Sequence, residues 1–103
     1  MPRKRTVIIA EFSIHPIGSG TSVGRYVKAV VKALSKLPTL RFRVTPMSTI
    51  LEAEDMSTIL DAVKVAHQAL RSMGAKRISS MLRIDERLDK PRTMEDKVRS
   101  AKT

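Results

Sequence analysis

Apolar residues in this chain recur first at every second position and then at helical spacing. That switch happens twice, in the order strand, helix, strand, strand, helix, strand. "TVIIAEFSIHPI" (6–17) alternates from Ile8. Ile8, Ala10, Phe12 and Ile14 fall on one side, with Ile9, Glu11, Ser13 and His15 on the other. Pro16 and the "GSG" at 18–20 end that strand, and Thr21 or Ser22 caps a helix. Val23, Val27, Val30, Leu34 and Leu37 form its apolar stripe, widened by Tyr26 and Val31. "LRFRV" (40–44) and "TILEA" (49–53) read as a hairpin joined at "TPMS", where proline pre-sets the turn. Asp55 or Ser57 then starts a second helix on Ile59, Leu60, Val63, Ala66, Leu70 and Met73, and Gly74 ends it. "KRISSMLRIDER" (76–87) is a fourth strand, with Ile78, Ser80, Leu82 and Ile84 on one side.

A β-α-β-β-α-β order specifies a ferredoxin-like α+β sandwich: a four-stranded antiparallel sheet with both helices on one face. Thr93-x-x-Asp96 approximates a capping box and starts a short tail helix within 90–103, with Met94 and Val98 as its apolar contacts. Residues 1–5 form a basic extension, and 1–103 is expected to make one domain, since so short a chain builds one core. The second face of the sheet is expected to be bare. It would carry Glu11, Ser13, Met81, Arg83 and either Thr49/Leu51 or Ile50/Glu52, a mixture apolar enough to bind something or to pair with a second subunit.

Composition narrows the chemistry. The only aromatic residues are Phe12, Tyr26 and Phe42, so the core is aliphatic, helped by six methionines. The chain has no cysteine, which removes disulfides, thiolate metal sites and cysteine nucleophiles. No apolar run approaches the roughly 20 residues of a spanning helix, and a cytoplasmic location is the expectation. Twenty basic against ten acidic residues give a net charge of +10, and no acid stands between Glu11 and Glu52. That charge attracts polyanions. The RNA-recognition modules with this element order stack bases on aromatics of the third strand, however, and "TILEA" has none. Nucleic acid is therefore not the expected partner.

The "GSGTSVG" loop (18–24) has anion-cradling character but matches neither phosphate-binding fingerprint. His15 and His67 belong to no triad or metal spacing, and no enzyme, metal or cofactor is expected. The remaining constellation is Ser48, Thr49 and Glu52 on a central strand beside Ser13. A carboxylate and hydroxyls among apolar groups suit an amino-substituted heteroaromatic ring. Glu52 can equally be a strand carboxylate paired across the sheet with Arg83 or Arg43.

These stretches resemble the small thiamine-binding-like family, over nearly the whole chain. Pro46, Met47, Thr49 and Glu52 match its Pro-Met-Gly-Thr-x-x-Glu-Gly pattern, with Ser48 and Ala53 in place of the glycines. Ser13, Pro16 and Gly18 match Ser-x-x-Pro-x-Gly, and Ser22 with Tyr26-Val27 fits the helix start. Arg83, Asp85, Arg87 and Asp89 fit the closing region. The resemblance implies a ferredoxin-like subunit that pairs sheets into homodimers and tetramers and binds thiamine or its hydroxymethylpyrimidine precursor without catalysis. It makes Ser13, Ser22, Tyr26, Met47, Thr49 and Glu52 the pocket candidates. Glu52 would accept from the aminopyrimidine, Thr49 and Ser13 would add hydrogen bonds, and Met47 and Tyr26 would pack on the ring. Side chains at 48 and 53 add bulk where the family has glycine. The alternative is a basic interaction module contacting nucleic acid or an acidic partner through the first helix and the termini, with Arg25, Lys28 and Lys32 at its centre.

Overall fold

The computed structural model describes residues 6–18, 20 and 24–102. Its elements run β1 (Val7–Pro16), α1 (Gly24–Leu34), β2 (Arg41–Val44), β3 (Thr49–Ala53), α2 (Met56–Ser72), β4 (Ile78–Arg87) and α3 (Met94–Lys102). The four strands form one sheet in the order β2-β3-β1-β4, every neighbouring pair antiparallel. This is the expected ferredoxin-like α+β arrangement. Among the described residues no helix is long and apolar enough to cross a membrane.

Strand alternation determines which residues meet the helices. Ile8 pairs with Ala53, Ala10 with Leu51 and Phe12 with Thr49, and these side chains share the helix-covered face. Phe12, Ile8, Leu34, Leu51, Ile59 and Leu70 are the largest fully buried side chains. Each contributes about 1.5–3 kcal/mol of burial free energy, so this aliphatic centre holds the helices on the sheet. Ile50 and Glu52 consequently lie on the other face, with Ile9, Glu11 and Ser13 of β1 and Met81, Arg83 and Asp85 of β4.

α1 departs from the expected stripe. Its buried line is Tyr26, Val30 and Leu34, while Val27 is 43% exposed. Residues four apart stack on one side of a helix, and Tyr26 starts that series where Val27 stands one step round the axis. Val23 and the expected cap at Thr21 or Ser22 lie outside the described residues. In α2 the inward line is Ile59, Ala62, Ala66 and Leu70, and Leu60 points outward. Asp55 caps it by accepting from the Thr58 N–H at 2.7 Å. Gly74 closes it at φ +90°, a backbone region that side chains disfavour.

The second face of the sheet is not bare as expected, because α3 lies over part of it. Thr93 and Asp96 form a reciprocal capping box at its start: the Thr93 N–H donates to Asp96 Oδ2 (3.0 Å) and the Asp96 N–H to Thr93 Oγ1 (3.1 Å). Met94 is buried, while Val98, the second expected contact, is 46% exposed. The helix is held mainly by polar bonds. Lys97 Nζ reaches Asp85 Oδ2 at 2.5 Å, and Arg41 and Arg43 both reach Glu95 Oε2, at 3.0 and 3.2 Å.

Candidate functional site

The turn between β2 and β3 is fixed by one hydroxyl. Thr45 Oγ1 donates to the Ser48 carbonyl (2.8 Å) and accepts from the N–H groups of Met47 (3.3 Å) and Ser48 (3.1 Å). The Thr45 N–H also donates to the Ser48 carbonyl, at 2.8 Å. So braced, the turn holds Met47 out in solvent at 87% exposure. Between this turn, α1 and β1 lies a cavity of about 150 Å³, lined by Phe12, Tyr26, Val27, Val30, Met47 and Thr49 among others. A cavity of roughly that size holds a single six-membered ring.

Four of the six expected pocket residues line this one cavity: Ser13, Tyr26, Met47 and Thr49. They do so in different ways. Thr49 is on the helix-facing side of β3, and its hydroxyl makes no hydrogen bond among the described residues. Ser13 alternates to the face it shares with Met81, which leaves its main chain as its contribution to the cavity. The Tyr26 ring is buried, and its Oη accepts from Arg25 Nη2 at 3.0 Å, with the guanidinium 4.9 Å from the ring centroid. Ser22 lies outside the described residues. The Arg25 contact was hidden in the sequence, where Arg25 fits a solvated helix face. Its one signal was a cation next to the only tyrosine.

Glu52 is elsewhere. Pairing with Ile9 and Arg41 puts it on the opposite face of the sheet, yet it is only 5% exposed. One carboxylate oxygen accepts from the Met94 N–H at 2.8 Å and the other from Arg41 Nη1 at 2.5 Å. The first turn of a helix has unpaired N–H groups and a positive dipole end, and Glu52 satisfies both. Arg41 is thus its cross-strand partner. Arg43 serves Glu95 instead, and Arg83 stands opposite Glu11. The guanidinium of Arg41 is held above its ordinary pKa, first by the Glu95 hydrogen bond and then by the charge of Glu52.

A wider cavity of about 650 Å³ opens beside Glu52, with Arg41, Glu54, Asp55, Thr93 and Asp96 around it. Three of its acids serve local structure: Glu52 anchors α3, Asp55 caps α2 and Asp96 closes the capping box. Hydrogen bonds from the Thr58 N–H and the Thr93 N–H hold Asp55 and Asp96 below the usual carboxylate range. Among the described residues no group of three His, Asp or Glu side chains is placed to hold a metal ion.

Comparison with known proteins places these features in a family. A family model described as thiamine-binding protein matches residues 10–102. A UPF0045 protein of Methanothermobacter thermautotrophicus is 43% identical over 93% of this chain and 97% of its own. The crystal structure of a hypothetical protein from Methanocaldococcus jannaschii superposes with a TM-score of 0.83 at 39% identity, covering 93% of this chain and 96% of that one. A candidate thiamine biosynthesis or salvage protein of Thermotoga maritima shares the fold, with a TM-score of 0.77 at 23% identity over 92% and 98% of the two chains.

Proposed function

This chain belongs to the thiamine-binding protein family, and from that premise we propose that it is a non-enzymatic binding protein for thiamine or a related aminopyrimidine such as hydroxymethylpyrimidine. The observation that carries the proposal is the cavity beneath the β2–β3 turn, where Tyr26, Met47 and Thr49 converge. A flat ring fits between the Tyr26 side and the turn. The free Thr49 hydroxyl bonds a ring nitrogen or amino group, and the mobile thioether of Met47 folds over the opening. Tyr26 is the one titratable side chain among the described lining residues, so the site has no acid–base pair to turn a substrate over. Glu52 acts structurally in this reading, as the seat of α3.

The protein works in the cytoplasm as a homodimer joined through the sheet face that α3 leaves open, with dimers pairing into tetramers. Ile50 and the 70%-exposed Met81 lie on that face, flanked by Glu11 and Arg83.

Titration calorimetry with thiamine and with hydroxymethylpyrimidine tests the site. Saturable binding of at least one ligand is expected. Thr49→Val keeps the shape and removes the hydroxyl, and should weaken binding by roughly tenfold, the worth of one neutral hydrogen bond. Folded, ligand-free protein that gives no saturable heat with either compound would end the reading.

A further inference from the structure

We infer that the outer surface of the helix layer docks the phosphate backbone of a nucleic-acid duplex without reading its sequence. This goes beyond the small-molecule reading and does not depend on it. The observation that carries it is how charge is divided over the fold. All ten acids lie among the described residues, yet only Asp61 stands on α1 or α2. Away from those helices, acids cancel the cations beside them. Arg41 and Arg43 pair with Glu95, Arg87 with Asp89, Lys97 with Asp85 and Arg99 with Asp96. The helix layer has no such neutralisation. Lys28 and Lys32 on α1, Lys36 just past its end, and Lys64 and Arg71 on α2 are exposed. Among the described residues none of these is in an ion pair.

Helical spacing sets the unpaired cations in two rows. Lys28 and Lys32 share the outward side of α1, about 6 Å apart along its axis. Lys64 and Arg71 share the outward side of α2, about 10 Å apart. α1 packs along α2, which puts the rows roughly 8–10 Å apart. Flexible lysine stems on rows so placed reach phosphates on both sides of a duplex groove, about 6–12 Å wide. A single strand is a poorer fit, because Phe12 and Tyr26 are buried and Phe42 is on β2, so this layer has no ring to stack an unpaired base. A bilayer is a poorer fit as well: the large exposed apolar side chains of the two helices, Val27 and Leu60, stand singly on separate helices. The lack of aromatics on β3 excludes base stacking on the sheet, whereas phosphate contact on the helix layer needs none. Pairing of two copies through the sheet would leave both helix layers facing outward and open to a duplex.

Fluorescence anisotropy of the full chain with short labelled DNA and RNA duplexes, each in two unrelated sequences, tests the surface. Saturable binding is expected to at least one duplex type, with log affinity falling against log salt at a slope of about −4 to −5. The two sequences of that type should bind within about twofold of each other. Lys28→Gln combined with Lys32→Gln should reduce the slope by about 2 and weaken binding by roughly tenfold or more at low salt. Lys90→Gln combined with Lys102→Gln removes the same charge from exposed positions outside the layer, and should leave affinity within about twofold. Equal losses in the two double variants would mean attraction by bulk charge and overturn the inference. So would absence of duplex binding at low salt, or binding to phosphatidylserine vesicles in place of duplexes. The wild-type salt slope and the sequence comparison stand without any variant. Neither lysine pair lines the cavity beneath the β2–β3 turn, so titrating the same proteins with aminopyrimidine checks the family reading separately.

Discussion

Removing the Glu52 carboxylate leaves a buried Met94 N–H without an acceptor and frees Arg41 from its strand partner. An unsatisfied buried donor costs about 1–3 kcal/mol. Glu52→Ala should therefore lower the denaturant midpoint by a matching amount at fixed protein concentration. Glu52→Gln retains an oxygen for the Met94 N–H and should lose less. If Glu52 instead served the ligand, Glu52→Gln would abolish aminopyrimidine binding with little loss of stability. Urea titrations run beside the calorimetry distinguish the two. That a glutamate belonged in "TILEA" was legible as an anomaly. Its partner was not: strand order removes Arg83, which lies two strands away on β4, and only the β2–β3 register selects Arg41 over Arg43. Thr49 shows the same limit in reverse. Once register places Ile50 and Glu52 on one face, Thr49 must turn to the other, and a single sequence offers no way to choose the phase.

At the scale of elements, α3 is the part held by charge. Hydrogen bonding and the charge of Lys97 hold the Asp85 carboxyl below its ordinary value. Partial burial opposes ionisation of Glu95, yet Arg41 keeps its pKa low. A carboxylate with a depressed native pKa contributes stability that is complete above its unfolded value and disappears as pH falls through its native value. The anchoring of α3 should accordingly be intact above about pH 4 and weaken below it. Asp89, pinned at about 2 by Arg87, should be the last of these acids to protonate. Amide hydrogen exchange measured across an acid series is expected to show α3 losing protection before β1 and β3; simultaneous loss would contradict this. The other elements were readable because periodicity alone builds them, as in the alternation of β1 and the Asp55-to-Gly74 frame of α2. The docking of α3 was not readable. Its capping box is written in Thr93 and Asp96, but nothing local says that the capped end sits on a glutamate of another strand.

Across the whole molecule, the helix layer covers one face of the sheet and α3 part of the other. The remainder, around Ile50, Met81 and Arg83, is the surface through which two copies are proposed to pair. Met81→Glu places a charge there, away from the cavity lining, and should convert a dimer to a monomer of 11.5 kDa in light scattering. An unchanged mass would mean that the subunits meet elsewhere. Basic residues dominate the opposite surface, where Arg25, Lys28 and Lys32 line α1 outward and exposed Lys36 follows its end, so copies meeting there would repel.

The position of β1 between β3 and β4 also bears on synthesis. β1 is made early, yet ten of its residues pair with a strand that begins at Ile78. A ribosome releasing this chain must expose β1, both sandwich helices and the hairpin before that partner emerges. For that interval the nascent sheet has an open edge, long and rich in isoleucine, which is the kind of edge that invites pairing between neighbouring chains. Late closure by β4 makes translation rate and chaperone access, as much as native contacts, determinants of how much chain reaches the folded state.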